Sequence, residues 1–291
     1  MSSTVRVGVL QIFGDHASDW RLAIQAAAGA QNWDYHEYWG GDAPAFDPQR
    51  NAIVVCADAA DLPYDVSDWL VVTTAPDDAV MALMGHGLDR AQAAHHASRR
   101  FAKAADLIED GAAVGDAYDS FIDVPHIGRV ALLSPTGPYP GDRAAGEIGF
   151  YAVLPLPVGI KFPIAHSQLE FPIYRETDDG TPRVNLLGRR RTIFRGPTFV
   201  VPRGVWRLDA GFAIDCSASV HLLLGWGNDT SLEKFEDVLP NSGLYEIALT
   251  NQWSEAGTAD FTGMLMTPVL EGWFELGQCS MTYLGATAST E

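Results

Sequence analysis

Two different rhythms of apolar and polar positions divide this chain. Up to about residue 135, short apolar runs alternate with stretches of helical period. Val5–Ile12 is rich in β-branched residues and predicts a first strand. The spacing of Trp20, Ala23, Ile24 and Ala27 predicts a helix over 15–30. Asn51–Ala57 and Trp69–Thr74 are continuous apolar runs, which suit strands buried on both faces of a parallel sheet. Pro76-Asp77-Asp78 opens a helix to about Met84, with its carboxylates where the helix dipole favours them. A longer helix is predicted over 89–109, with Ala91, Ala94, Ala105 and Ile108 near one side, and Arg129–Leu133 as the last strand of this half. Strands alternating with helices imply a small doubly wound parallel sheet.

Beyond about residue 145 the helical period fades and strands with Gly and Pro between them take over. They are predicted over 148–154, 160–164, 169–174, 183–187, 192–195, 199–201, 205–214, 220–224, 244–249, 261–266 and 273–283. One pattern occurs three times: Gly204-Val205-Trp206-Arg207-Leu208, Gly243-Leu244-Tyr245-Glu246-Ile247 and Gly272-Trp273-Phe274-Glu275-Leu276. Each reads as a turn glycine followed by a strand. Side chains alternate across a strand, so Trp206/Leu208, Tyr245/Ile247 and Phe274/Leu276 each share an inward face and the charge points out. The spacings are unequal, which favours shared strand-start chemistry over a true repeat. Ser134–Asp142 is too rich in Pro and Gly for a helix or central strand. The expected organisation is a flavodoxin/Rossmann-like α/β domain over 1–135, a linker over 136–144 and an antiparallel jelly-roll-like β-sandwich over 145–291.

A length of 291 residues accommodates two cores, and 47% hydrophobic with 19% charged residues is an ordinary globular balance. No apolar run approaches the roughly 20 residues of a membrane span, and the first residues lack the pattern of a secretory signal, so a cytoplasmic location is expected. Cys56, Cys216 and Cys279 are odd in number and far apart, which argues for free buried thiols. The net charge of −18 disfavours nucleic acid as a partner.

Candidate chemistry is sparse. The turn after the first strand, Ile12-Phe13-Gly14-Asp15-His16, has one glycine where a dinucleotide-binding loop needs several, so no nucleotide cofactor is expected. Asp15, Asp58 and Thr73/Thr74 end successive strands, which loosely resembles a response-regulator receiver. The lysine that would hold a phosphoryl group is missing. His95 and His96 are adjacent on a helix and diverge, no His-Glu-x-x-His or Cys-x-x-Cys spacing occurs, and no metal site or catalytic residue is assigned.

Two features suit binding. Seven arginines (183, 189, 190, 191, 195, 203 and 207) precede the next acid, Asp209. They read either as an anion-binding face or as partners of acidic residues in the first half or in another subunit. Trp226 and Trp253 each fall just past a predicted strand end among polar groups. They read either as open rings for stacking on a sugar or as plugs at the ends of the core.

Gly204–Leu208, Gly243–Trp253 and Glu271–Cys279 together resemble the carbohydrate-binding β-sandwich modules found on proteins of bacterial surface-polysaccharide pathways. The resemblance implies a non-catalytic protein that binds a glycan or docks to a partner. The expected ligand contacts are Trp226, Asn228, Asp229 and Trp253, with Arg189, Arg191 and Arg195 for an acidic sugar. Two alternatives stand beside it. One is a degenerate glycosyltransferase-like enzyme working at Asp15, Asp58 and Asp77/Asp78. The other is a structural homo-oligomer.

Overall fold

The structure is a computed structural model. It describes the chain except residues 1–3, 41–46, 48, 59–61, 63–64, 133–138, 140, 145, 178–180, 241 and 287–291. It divides into two compact units, Met1–Pro155 and Leu156–Glu291.

The first unit runs β1 (Arg6–Gln11), α1 (Ala17–Ala30), β2 (Asp34–Tyr38), β3 (Ala52–Cys56), β4 (Asp68–Thr73), α2 (Pro76–Gly85), α3 (Arg90–Glu109), β5 (Ala113–Asp116), β6 (Phe121–Val124) and β7 (Gly128–Ala131). Its five-stranded sheet has the order β2-β3-β1-β4-β5 and every pairing is parallel. Central strands β1 and β3 are buried along nearly their whole length, as continuous apolar runs require. On one face Trp20, Ile24 and Ala28 of α1 pack on Val7, Val9, Ile53 and Val55. The Trp20 indole N–H donates to the Ala117 carbonyl at 2.9 Å, so its one polar atom is satisfied. Helix α3 begins with a capping box at Asp89 and Gln92.

Three expectations change here. Strand β2 is a half-exposed edge strand with no apolar run to announce it. The predicted last strand is β7, which pairs only with β6 in an antiparallel hairpin beside the sheet. Much of the proposed linker lies outside the described residues. Residues 146–155 belong to the first unit, where the predicted strand at 148–154 is instead a 3₁₀ turn, Gly149–Ala152. Phe150 and Tyr151 are its buried anchors, and Tyr151 stacks on Phe101 with centroids 5.3 Å apart.

The second unit holds twelve strands among its described residues: β8 (Lys161–Pro163), β9 (Arg175–Glu176), β10 (Pro182–Asn185), β11 (Arg191–Gly196), β12 (Val200–Val201), β13 (Gly204–Asp215), β14 (Val220–Gly227), β15 (Leu232–Leu239), β16 (Gly243–Trp253), β17 (Gly257–Thr258), β18 (Asp260–Leu265) and β19 (Trp273–Gly285). One antiparallel sheet has the order β16-β13-β19-β10-β9 with β8 also on β19; the other is β11-β18-β14-β15. Together they form a jelly-roll-like sandwich. The three copies of the Gly-apolar-aromatic pattern are β16, β13 and β19, neighbours in one sheet. Trp206, Leu208, Phe274 and Leu276 are buried as alternation requires, and Tyr245 stacks on Phe212 at 5.4 Å. Phe194 of the facing sheet stacks on Phe274 at 5.7 Å and joins the two layers. Gly204 and Gly272 adopt φ +138° and +135°, and a Cβ on Gly204 would sit 2.5 Å from the Tyr283 ring.

Candidate functional site

Strand β14 ends on Gly227, whose φ of +151° and 2.0 Å gap between a built Cβ and the Ser231 carbonyl admit no side chain. The loop that follows is organised by Asn228. Its side-chain oxygen accepts from the Thr230 and Ser231 amides (2.9 and 2.8 Å) and from the Thr230 hydroxyl (2.8 Å). Buried Asn251 of β16 pins that loop from the facing sheet. It accepts from the Ser231 hydroxyl at 2.8 Å and donates to the Ser231 carbonyl at 2.9 Å. Two residues on, the Trp253 indole donates to the Thr258 carbonyl at 3.3 Å and folds the 254–256 turn back on itself. Close by, Asp260 at the start of β18 accepts from Arg195 Nε at 2.5 Å and from the Gly196 amide at 3.1 Å. That bond strengthens the hold of the Arg195 guanidinium on its proton, with Asp260 as the main cause.

These loops surround a cleft of about 360 Å³ at one end of the sandwich. Arg195, Asn228, Asp229, Gln252, Glu255 and the edge of Trp253 face it, with Asp260 at its wall. Four of the seven expected contact residues, at positions 195, 228, 229 and 253, thus meet at one opening. Gln252 and Glu255 join them without having been expected. Gln252 is legible in hindsight: it alternates with inward Asn251 and Trp253 at the end of a long strand.

The other three expected residues do different work. Strand β14 extends three residues past the predicted end, so Trp226 lies inside it and is completely buried. Its indole donates to the Trp206 carbonyl at 3.3 Å and meets Trp253 edge to face at 5.4 Å. Trp253 is 2% exposed. Both rings plug the core, and neither offers a face for stacking on a sugar. Arg191 donates to the backbone carbonyls of Asn185, Leu186 and Leu187, which ties down its own turn. Arg191 lies at the opposite end of β11 from Arg195, roughly 13 Å away for four residues of strand, and Arg189 precedes that end of the strand. Elsewhere in the arginine run, Arg183 pairs with Glu275 and Arg207 with Asp209, both 2.6–2.9 Å. The acids that neutralise these charges belong to the sandwich itself.

A second, more open groove of about 840 Å³ runs beside β8 and β19, past Lys161, Thr181 and Gln278. His166, on its rim, is already hydrogen-bonded to the Gly277 carbonyl at 3.1 Å.

In the first unit the carboxyl ends of β1, β4 and β5 also converge. Asp78 of α2 accepts from the Thr74 hydroxyl at 2.7 Å, the Tyr118 hydroxyl at 2.8 Å and the Asp15 amide at 3.3 Å. Burial and this carboxylate both push the Tyr118 phenol upward, so it stays protonated and donating. A Cβ on Gly14 would stand 2.5 Å from Asp78 Oδ2. Asp78 thus ties together the loops that follow β1, β4 and β5, at the carboxyl end where a doubly wound sheet commonly binds its ligand. Asp58 pairs with Arg99 at 2.9 Å and Asp77 with Arg90 at 3.4 Å. His126 pairs with Asp68 and His221 with Glu236. Among the described residues no group of three or more His, Cys, Asp or Glu side chains is arranged to hold a metal ion, and no helix is long and apolar enough to cross a membrane.

No protein-family model matches the chain, and no curated protein does. Solved structures similar to it include carbohydrate-binding modules. TmCBM61 in complex with β-1,4-galactotriose aligns at 15% identity and TM-score 0.29, over 43% of this chain and 87% of that one. The CBM22-1 xylan-binding domain of Paenibacillus barcinonensis Xyn10C aligns at 8% and 0.28, over 44% and 87%. The family 11 module of Clostridium thermocellum, in complex with a β-1,3-1,4-mixed-linked tetrasaccharide, aligns at 10% and 0.25, over 44% and 89%.

Proposed function

We propose that the second unit binds a glycan, without transforming it, in the cleft between the β14–β15 and β16–β17 loops. The observation that carries this reading is the lining. Amide and carboxylate side chains at 228, 229, 252 and 255 and the Arg195–Asp260 pair meet around one opening of about 360 Å³. That volume suits one or two sugar rings, and such groups match a ligand covered in hydroxyls, each of which donates and accepts. The loops are held by hydrogen bonds within the protein, so little ordering is left to be done on binding. Recognition here is by polar contacts and not by ring stacking, because both indoles are enclosed. The wider setting we propose, bacterial surface-polysaccharide assembly, rests on the sequence resemblance alone.

Calorimetric titration of the full chain with a panel of neutral and charged oligosaccharides tests the reading. We expect millimolar or tighter binding to at least one, lost on Gln252→Ala, whose side chain makes no contact that holds the loops. Absence of binding across the panel at millimolar concentration would overturn it.

A further inference from the structure

We infer that the cleft takes sugars bearing free amines in preference to neutral ones, and disfavours uronic or phosphorylated sugars; the inference deepens the glycan reading above and rests on it. The sign of the lining carries the argument. One guanidinium, Arg195, stands against three carboxylates, Asp229, Glu255 and Asp260. Its charge is already offset, since nearly buried Asp260 holds Arg195 Nε at 2.5 Å. An anionic sugar could reach only the outer Nη groups of a cation whose charge Asp260 already offsets, and would then face the remaining acids. Arg189 and Arg191 cannot help, being at the far end of β11. Asp229 and Glu255 are exposed on the two loops that frame the opening; Asp229 lies in the field of Arg195 without a hydrogen bond to it. A ligand ammonium entering between those loops meets two carboxylates to which no cation among the described residues is hydrogen-bonded, with Gln252 left for the hydroxyls.

The test compares tetramers sharing a β-1,4 backbone and differing in one substituent: glucosamine, glucose, and glucose with C6 oxidised to a carboxylate. Titrations are run on the full chain at pH 6, where the amines are protonated. We expect the glucosamine tetramer to bind roughly tenfold tighter than the glucose tetramer at low salt, an advantage that shrinks as NaCl is added. The carboxylated tetramer should bind more weakly than either. Asp229→Asn with Glu255→Gln should bring the glucosamine and glucose tetramers to equal affinity. Asp237→Asn with Glu246→Gln removes the same charge from positions well along β15 and β16, and should leave the ratio unchanged. Equal binding of the amine and neutral tetramers, tighter binding of the carboxylated one, or loss of the ratio in the distant double variant would each overturn the inference while leaving glycan binding in place. Failure of all three tetramers and of the wider panel would remove the glycan reading itself, and the preference with it.

Discussion

Asp78 shows how one side chain can tie three loops together. Its carboxylate gathers the Thr74 and Tyr118 hydroxyls and the Asp15 amide, from three segments at one sheet edge. Asp78→Ala strips the partner from all three and should cost the first unit about 2–4 kcal/mol. Urea unfolding would show this as a lower midpoint with little change in slope. A neighbouring lesson concerns Asn228 and Gln252, both amides beside the same cleft. Asn228 spends its oxygen on three donors of its own loop, so Asn228→Ala should lower stability by about 1 kcal/mol and reduce binding indirectly. Gln252→Ala should leave the melting temperature within a degree or two of the parent. Thermal melts of the two variants, run side by side, separate positioning from contact.

At the scale of elements, legibility followed burial pattern. Strands β1, β3, β4, β13 and β19 announce themselves because each carries an apolar run or an alternating stretch, which in β19 changes phase at a bulge. Edge strands β2 (Asp-Tyr-His-Glu-Tyr) and β15 (Leu-Glu-Lys-Phe-Glu-Asp-Val-Leu) do not, since water lies on much of both and no period is imposed. The 3₁₀ turn at Gly149–Ala152 is apolar for another reason: Tyr151 is buried against Phe101, and an apolar run alone cannot tell a strand from a buried turn. For the cleft, the polar loop residues 228 and 229 were legible, while the fate of the tryptophans turned on three extra residues of β14. Trp226→Ala should therefore act through the core. A loss of about 3–5 kcal/mol is expected on chemical denaturation, as for other buried aromatics cut to alanine. The arginine run was misleading because its neutralising acids, Glu275 and Asp260, come from strands 65 to 92 residues away. Only Asp209, two residues from Arg207 and so on the same face, could have been paired by eye.

Taken as a whole molecule, the chain carries a net charge of −18, yet its three cysteines are all buried. Burial pushes the Cys279 thiol from the usual 9 up to about 12. The folded state thus holds this proton more tightly than the unfolded chain does. Its contribution to stability is complete below about pH 9 and is lost progressively as pH rises from there towards 12. Alkaline unfolding followed by circular dichroism should show Cys279→Ala to be less sensitive than the parent across that window. Native protein at pH 8 should also resist thiol alkylation at Cys279 until denaturant is added.

The edge-to-face meeting of Trp226 and Trp253, 5.4 Å between centroids, has an optical consequence. Transition dipoles that close and that inclined mix, giving the pair a rotational couplet of its own in the ultraviolet spectrum. Only the second indole borders the cleft, so a solute lodging there perturbs one chromophore of a coupled pair. Occupancy could be followed in unlabelled protein as a change in the shape of that couplet, without a dye or a tag.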